Sequence, residues 1–176
     1  MPNQLAVSVG QYSDKGRKAE NQDFYGVTIP KEPQLSTKGI VAAIADGISS
    51  SQVSHIASES SVRSLLDDYY CTSETWSVNK SAMQVLAANN SWLHSQTQKG
   101  EGRYNKDKGY VCTLSALIVK SNTAYTFHLG DSRIYHFRAG SGQLLTKDHR
   151  TWLSKEQSYL SRAMGIFPQL ELDHES

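Results

Sequence analysis

Two aspartates, Asp23 in Asn21-Gln22-Asp23 and Asp46 in Ala45-Asp46-Gly47, stand at the ends of segments with strand-like patterning. A strand end holds a side chain in place while the adjoining loop admits a ligand. Carboxylate oxygens so placed suit hard divalent cations such as Mg²⁺ or Mn²⁺, whereas zinc would call for Cys or His. Gly47 lets the backbone come close, so its carbonyl is a further candidate ligand. A third carboxylate, Asp131, lies in Gly130-Asp131-Ser132-Arg133 between two strand-like runs. Arg17 and Lys18, a few residues before Asp23, carry positive charge suited to gripping a phosphate. On spacing alone these same residues also read as a strand cap, two turns and a solvated basic pair.

The elements that must position them can be read from periodicity. Leu5, Val7 and Val9 alternate as a half-buried strand would, and residues 24–29 predict a second strand, followed by a polar, proline-bearing hairpin connection over 30–38. Residues 40–45 are apolar on both parities, which predicts a strand covered on both faces and ending at Asp46. Spacings of three and four then predict one helix over 51–70 and a second over 77–97. Residues 99–108 read as a charged loop. An antiparallel meander follows over 111–119, 124–129 and 134–137, with a further strand over 143–146, a short helix over 151–159 and a polar, acidic tail over 168–176.

Composition excludes several classes. Eighteen Lys and Arg against 17 Asp and Glu leave a net charge of +1, with neither the basic excess nor the basic stripe of a nucleic-acid binder. The longest apolar runs, residues 40–45 and 116–119, are far too short to span a bilayer, and the N-terminus lacks a basic segment followed by an apolar one. No membrane association and a cytoplasmic location are expected. Cys71 and Cys112 share no metal-type spacing, and the six histidines do not cluster.

Taken in chain order, five fragments resemble the metal-dependent protein serine/threonine phosphatases of the protein phosphatase 2C family. They are Ser13-Asp14-Lys15-Gly16 with Asn21-Gln22-Asp23, then residues 41–47, Leu129-Gly130-Asp131-Ser132-Arg133, Leu145-Thr146-Lys147-Asp148-His149, and residues 160–165 containing Arg162-Ala163-Met164-Gly165. The likeness is greatest to bacterial members, some of which precede a protein kinase domain. It implies an α+β fold, a sandwich of two antiparallel sheets flanked by helices in α-β-β-α layers. It also implies hydrolysis of phosphoserine and phosphothreonine by a water activated between two Mn²⁺ or Mg²⁺ ions, with no catalytic side chain beyond that water. By position, Asp23 and Asp46 would be metal ligands, Gly47 would lend its carbonyl, Asp131 would serve an accessory ion, and Lys18 with Arg17 would bind phosphate. Phosphoserine and phosphothreonine proteins, and a protein kinase domain, are the implied partners.

The departures from the family pattern also bear on function. Lys18 replaces an arginine, supplying charge without the bidentate fork. Gln22 replaces a glutamate, and Ile48 stands where some members carry an acid-donating histidine. Two further metal-binding aspartates of the family lie beyond the Arg-Ala-Met-Gly region, and this sequence stops at Ser176 before either. Residues 1–176 are therefore expected to form the N-terminal portion of a single such domain, incomplete at its C-terminus. Two functions follow as alternatives: a phosphatase of weakened activity, or a non-catalytic, phosphatase-like module that binds a phosphoprotein or a partner domain.

Overall fold

The structure is a computed structural model that describes residues 5–155 and 157–176. Its elements run β1 (Asp23–Thr28), α1 (Gln34–Thr37), β2 (Ile40–Asp46), α2 (Ser54–Cys71), α3 (Val78–Lys99), β3 (Leu114–Lys120), β4 (Thr123–Leu129), β5 (Tyr135–Arg138), β6 (Ser141–Leu144), β7 (Arg150–Trp152), β8 (Ser158–Leu160) and β9 (Asp173–Glu175). Short 3₁₀ turns at Glu101–Arg103 and Lys106–Lys108 break up the charged loop after α3. The fold is mixed α and β, and every strand pairing is antiparallel.

The main sheet has the order β1-β2-β3-β4-β9. Its register puts Phe24 opposite Ala45, Gly26 opposite Ala43, Ala43 opposite Ala116 and Ala116 opposite Phe127, so these side chains share one face. That face packs under α2, whose Ala57, Val62, Leu65 and Tyr69 are buried at helical spacing. A Cβ at Gly26 would meet Leu66 Cδ1, so glycine there leaves room for that side chain against the strand. Behind α2 lies α3, begun by Ser77, whose side chain accepts from the Lys80 N–H. The core runs between the helices and the sheet and includes Val41, Leu86, Leu93, Leu114, Ile118, Phe127 and Met164.

Among the described residues the opposite face is not closed, which corrects the reading of residues 40–45 as covered on both sides. Ile44 is 45% exposed there, beside a groove of about 870 Å³ bordered by Val7, Val9, Tyr25 and Leu117. Residues 5–9 form no strand; Val7, Ser8 and Val9 border this groove. The meander also ends one strand early. β5 turns away to pair with β6 as a separate hairpin. Residues 151–159, expected as a helix, instead supply most of the β7–β8 hairpin, Glu156 lying outside the described residues. Trp152 and Leu153 are both exposed in this hairpin. The acidic tail supplies β9, which pairs through Asp173 with His128 and through Glu175 with Thr126. Cys71 and Cys112 are both free. No helix among the described residues is long and apolar enough to cross a membrane.

Candidate functional site

Asp23 begins β1 and Asp46 ends β2, and the antiparallel register makes them direct partners. Cβ atoms of directly opposed residues lie about 4.5–5.5 Å apart, so the two carboxylates share one small volume at the end of the ladder. Both backbone segments are fastened from below by small polar residues of α2. Ser58 Oγ donates to the Gln22 carbonyl at 2.6 Å, and Ser54 Oγ donates to the Ile48 carbonyl at 2.9 Å. Gln22, itself buried, returns a bond from Nε2 to the Ser51 carbonyl at 2.7 Å. Serine on the buried face of a helix is small enough for close packing and satisfies loop carbonyls that would otherwise be desolvated. Gly47 has no room for a side chain: a Cβ would come within 2.8 Å of the Ser54 backbone and 2.9 Å of the Gln22 carbonyl oxygen.

Thr113 ties the Asp46 strand end to the Asp131 turn. Its Oγ1 accepts from the Asp46 N–H at 3.0 Å, its N–H donates to the Asp46 carbonyl at 2.9 Å, and its hydroxyl contacts Ser132 Oγ at 2.9 Å. Asp46, Gly47 and Asp131 accordingly border one cleft of about 610 Å³. Asp23 lies on the other side of Asp46, beside the groove over the open sheet face. Asp131 itself is paired: Arg150 donates to its Oδ2 from Nε at 3.0 Å and from Nη2 at 2.7 Å.

Electrostatics at the pair follow from this crowding. The Asp46 carboxyl is pushed up to about 6 from its ordinary 3.8, first by burial, then by a hydrogen bond with Asp23 and by its charge. Lys18 opposes the shift and Asp131 adds to it, which puts Lys18 within electrostatic reach of the pair. Arg17 is exposed on the same turn. Two adjacent carboxylates with one partial counter-charge form a donor set of hard oxygens that fits a divalent cation such as Mn²⁺ or Mg²⁺. Among the described residues no group of three or more His, Cys, Asp or Glu gathers that could hold a metal ion.

Of the residues named from sequence, the fold brings Asp23, Asp46, Gly47, Asp131 and Lys18 to one end of the sheet, with Arg17 exposed on the turn beside Lys18. The sequence reading missed Thr113, Ser58 and Arg150. Ser58 carried a signal, a small polar residue on the apolar stripe of a predicted helix. Arg150 carried none, because it lies nineteen residues from Asp131 and meets it only through the β7–β8 hairpin.

A family model for protein phosphatase 2C matches residues 11–164. A relative of protein phosphatase 2C type from Streptococcus pyogenes serotype M6 is 30% identical over 152 residues, which are 82% of this chain and 54% of that protein. The serine/threonine phosphatase Stp of Listeria welshimeri is 28% identical over 186 residues, covering 92% of this chain and 68% of its own. Among solved structures, the serine/threonine phosphatase Stp1 of Staphylococcus aureus superposes with a TM-score of 0.75 at 16% identity, over 97% of this chain and 73% of that one. The chain spans about half the length of the streptococcal relative.

Proposed function

The chain belongs to the protein phosphatase 2C family, and from that premise we propose that it carries the metal-binding end of a protein serine/threonine phosphatase site, acting on phosphoserine and phosphothreonine. The observation that carries this reading is the direct register of Asp23 with Asp46. Those two carboxylates, with the Gly47 carbonyl, would hold Mn²⁺ or Mg²⁺. A divalent ion in such a site supplies an activated water and charge neutralisation at phosphorus. Lys18 would meet the phosphoryl group with a point charge. Thr113, Ser54 and Ser58 keep the carboxylate-bearing ends rigid, which a two-carboxylate site needs because little else fixes its geometry. Ile48 offers no proton, so the leaving alkoxide would take one from solvent. A cytoplasmic setting, phosphoproteins as substrates and a protein kinase domain as partner belong to the same reading.

Mn²⁺-dependent hydrolysis of p-nitrophenyl phosphate by the purified chain tests it. Turnover above that of an Asp46→Ala control supports hydrolysis. Turnover equal to the control leaves the binding-only alternative, in which the same residues recognise a phosphoprotein without cleaving it.

A further inference from the structure

Arg150 is fixed at three points in the cleft beside Asp46. Nε and Nη2 converge on Asp131 Oδ2, and Nη1 donates to Ser158 Oγ, while the β7–β8 ladder holds the strand that carries it. A guanidinium has five N–H donors in one plane, so three bonds leave two N–H groups unspent. Its side chain is 35% exposed and that of Asp131 24%, and both border the cleft with Gly47 and Lys106. An arginine keeps its charge throughout the working pH range. A divalent ion on Asp131 would therefore have to displace a permanent cation already held by two charge-assisted bonds, and would then sit against it.

We propose that Arg150, rather than a metal ion, is the cation of Asp131, and that its two remaining N–H groups bind oxygens of a phosphoryl anion entering the cleft. This separates Asp131 from the accessory-ion role implied by the resemblance and gives the chain the forked donor that Lys18 does not supply. Asp131 is then a positioning residue: its carboxylate holds the guanidinium at the wall of the cleft. The phosphoryl identity of the anion rests on the phosphatase reading; the Asp131–Arg150 pairing does not.

Two binding measurements test the proposal without reading turnover. Inorganic phosphate is titrated into the metal-free chain and followed by heteronuclear NMR. The unaltered chain should bind it, Arg150→Ala should weaken binding at least about tenfold, and Arg150→Lys, which keeps charge and stem, should fall between them. Mn²⁺ is titrated separately into Asp131→Asn, which should bind as much Mn²⁺ as the unaltered chain. Phosphate binding that is undetectable in the unaltered chain, or equal in all three proteins, would overturn the assignment of Arg150. Mn²⁺ binding that falls in Asp131→Asn would overturn the assignment of Asp131. A chain without phosphatase turnover that passes both tests would fail the functional reading while retaining this one.

Discussion

Asp173 meets His149 at 2.9 Å, Oδ2 against Nε2, while its Oδ1 accepts from Arg162 Nη1 at 2.8 Å. The Gly130 N–H donates to His149 Nδ1 at 3.1 Å, so the ring proton sits on Nε2 and faces the carboxylate. One imidazole thus ties edge strand β9 to the turn that carries Asp131. Burial works against ionisation of Asp173, but the bonds from His149 and Arg162 outweigh it and hold the carboxyl below its usual range.

Replacing Asp173 by Ala should release β9 from β4 at a cost of about 1 kcal/mol, a modest figure because the side chain is 47% exposed. A carboxyl whose folded pKa is depressed adds stability above its unfolded pKa and loses it as pH falls through the folded one. The unaltered chain should therefore lose this contribution only below about pH 4, and Asp173→Ala should lack that part of the acid limb. Amide exchange at Glu175 should speed up while that of β2 and β3 holds. Unchanged exchange at Glu175 would mean that backbone pairing alone keeps the strand in place.

Asp46 has the opposite sign. Its folded pKa of about 6 lies above the ordinary 3.8, so the folded state holds the proton more tightly and its stability falls as pH rises from about 4 to about 6. Above that the penalty is constant. Asp46→Asn should thus raise the metal-free melting temperature at pH 7, by the equivalent of about 1 kcal/mol once screening by the solvent that reaches the residue is allowed for. The gain should vanish near pH 4. A variant less stable than the parent at pH 7 would show that the carboxylate is not strained by its neighbour.

How much of this was legible in the sequence depends on the range of each interaction. Asp46-Gly47 ends an apolar run, and α2 and α3 keep their stripes over many residues, so local pattern sufficed for them. β9 is a three-residue edge strand whose partner, β4, lies more than forty residues earlier, and nothing in its acidic composition signals that pairing. Residues 5–9 show the converse, with alternation present and no strand formed. At the site, the register sets Asp23 opposite Asp46, but whether Asp131 is free or paired depended on Arg150, and that contact exists only in three dimensions.

Ser58 is the most direct test of how the helix supports the site. Ser58→Ala removes the bond to the Gln22 carbonyl one residue before Asp23, leaving that carbonyl with the longer bond from the Gly47 N–H at 3.1 Å. The expected cost is about 1–2 kcal/mol in thermal or urea unfolding, together with a several-fold loss of Mn²⁺ affinity as the Asp23 end of β1 loosens. Glu59→Ala, on the same helix with its carboxylate bonded to Arg63, should alter neither by a comparable amount. Equal Mn²⁺ affinity in Ser58→Ala and the parent would remove α2 from the account of the site.

Mn²⁺ binding itself should be weak, with a single site per chain. Octahedral Mn²⁺ takes about six oxygens, and two such ions side by side carry four positive charges. Asp23 and Asp46 provide two negative charges where they face each other, and the charge of Asp131 is already met by Arg150. Water completes coordination but brings no charge, so a second ion would meet the repulsion of the first without anionic ligands to offset it. Asp46 must also shed any proton it holds, so affinity should rise with pH through about 6, where its carboxyl titrates. Calorimetric titration decides the matter. One weak site, stronger at pH 7.5 than at pH 5.5 and abolished by Asp46→Asn, is the expected result, whereas two tight sites per chain would show that ligands other than these carboxylates complete the centre.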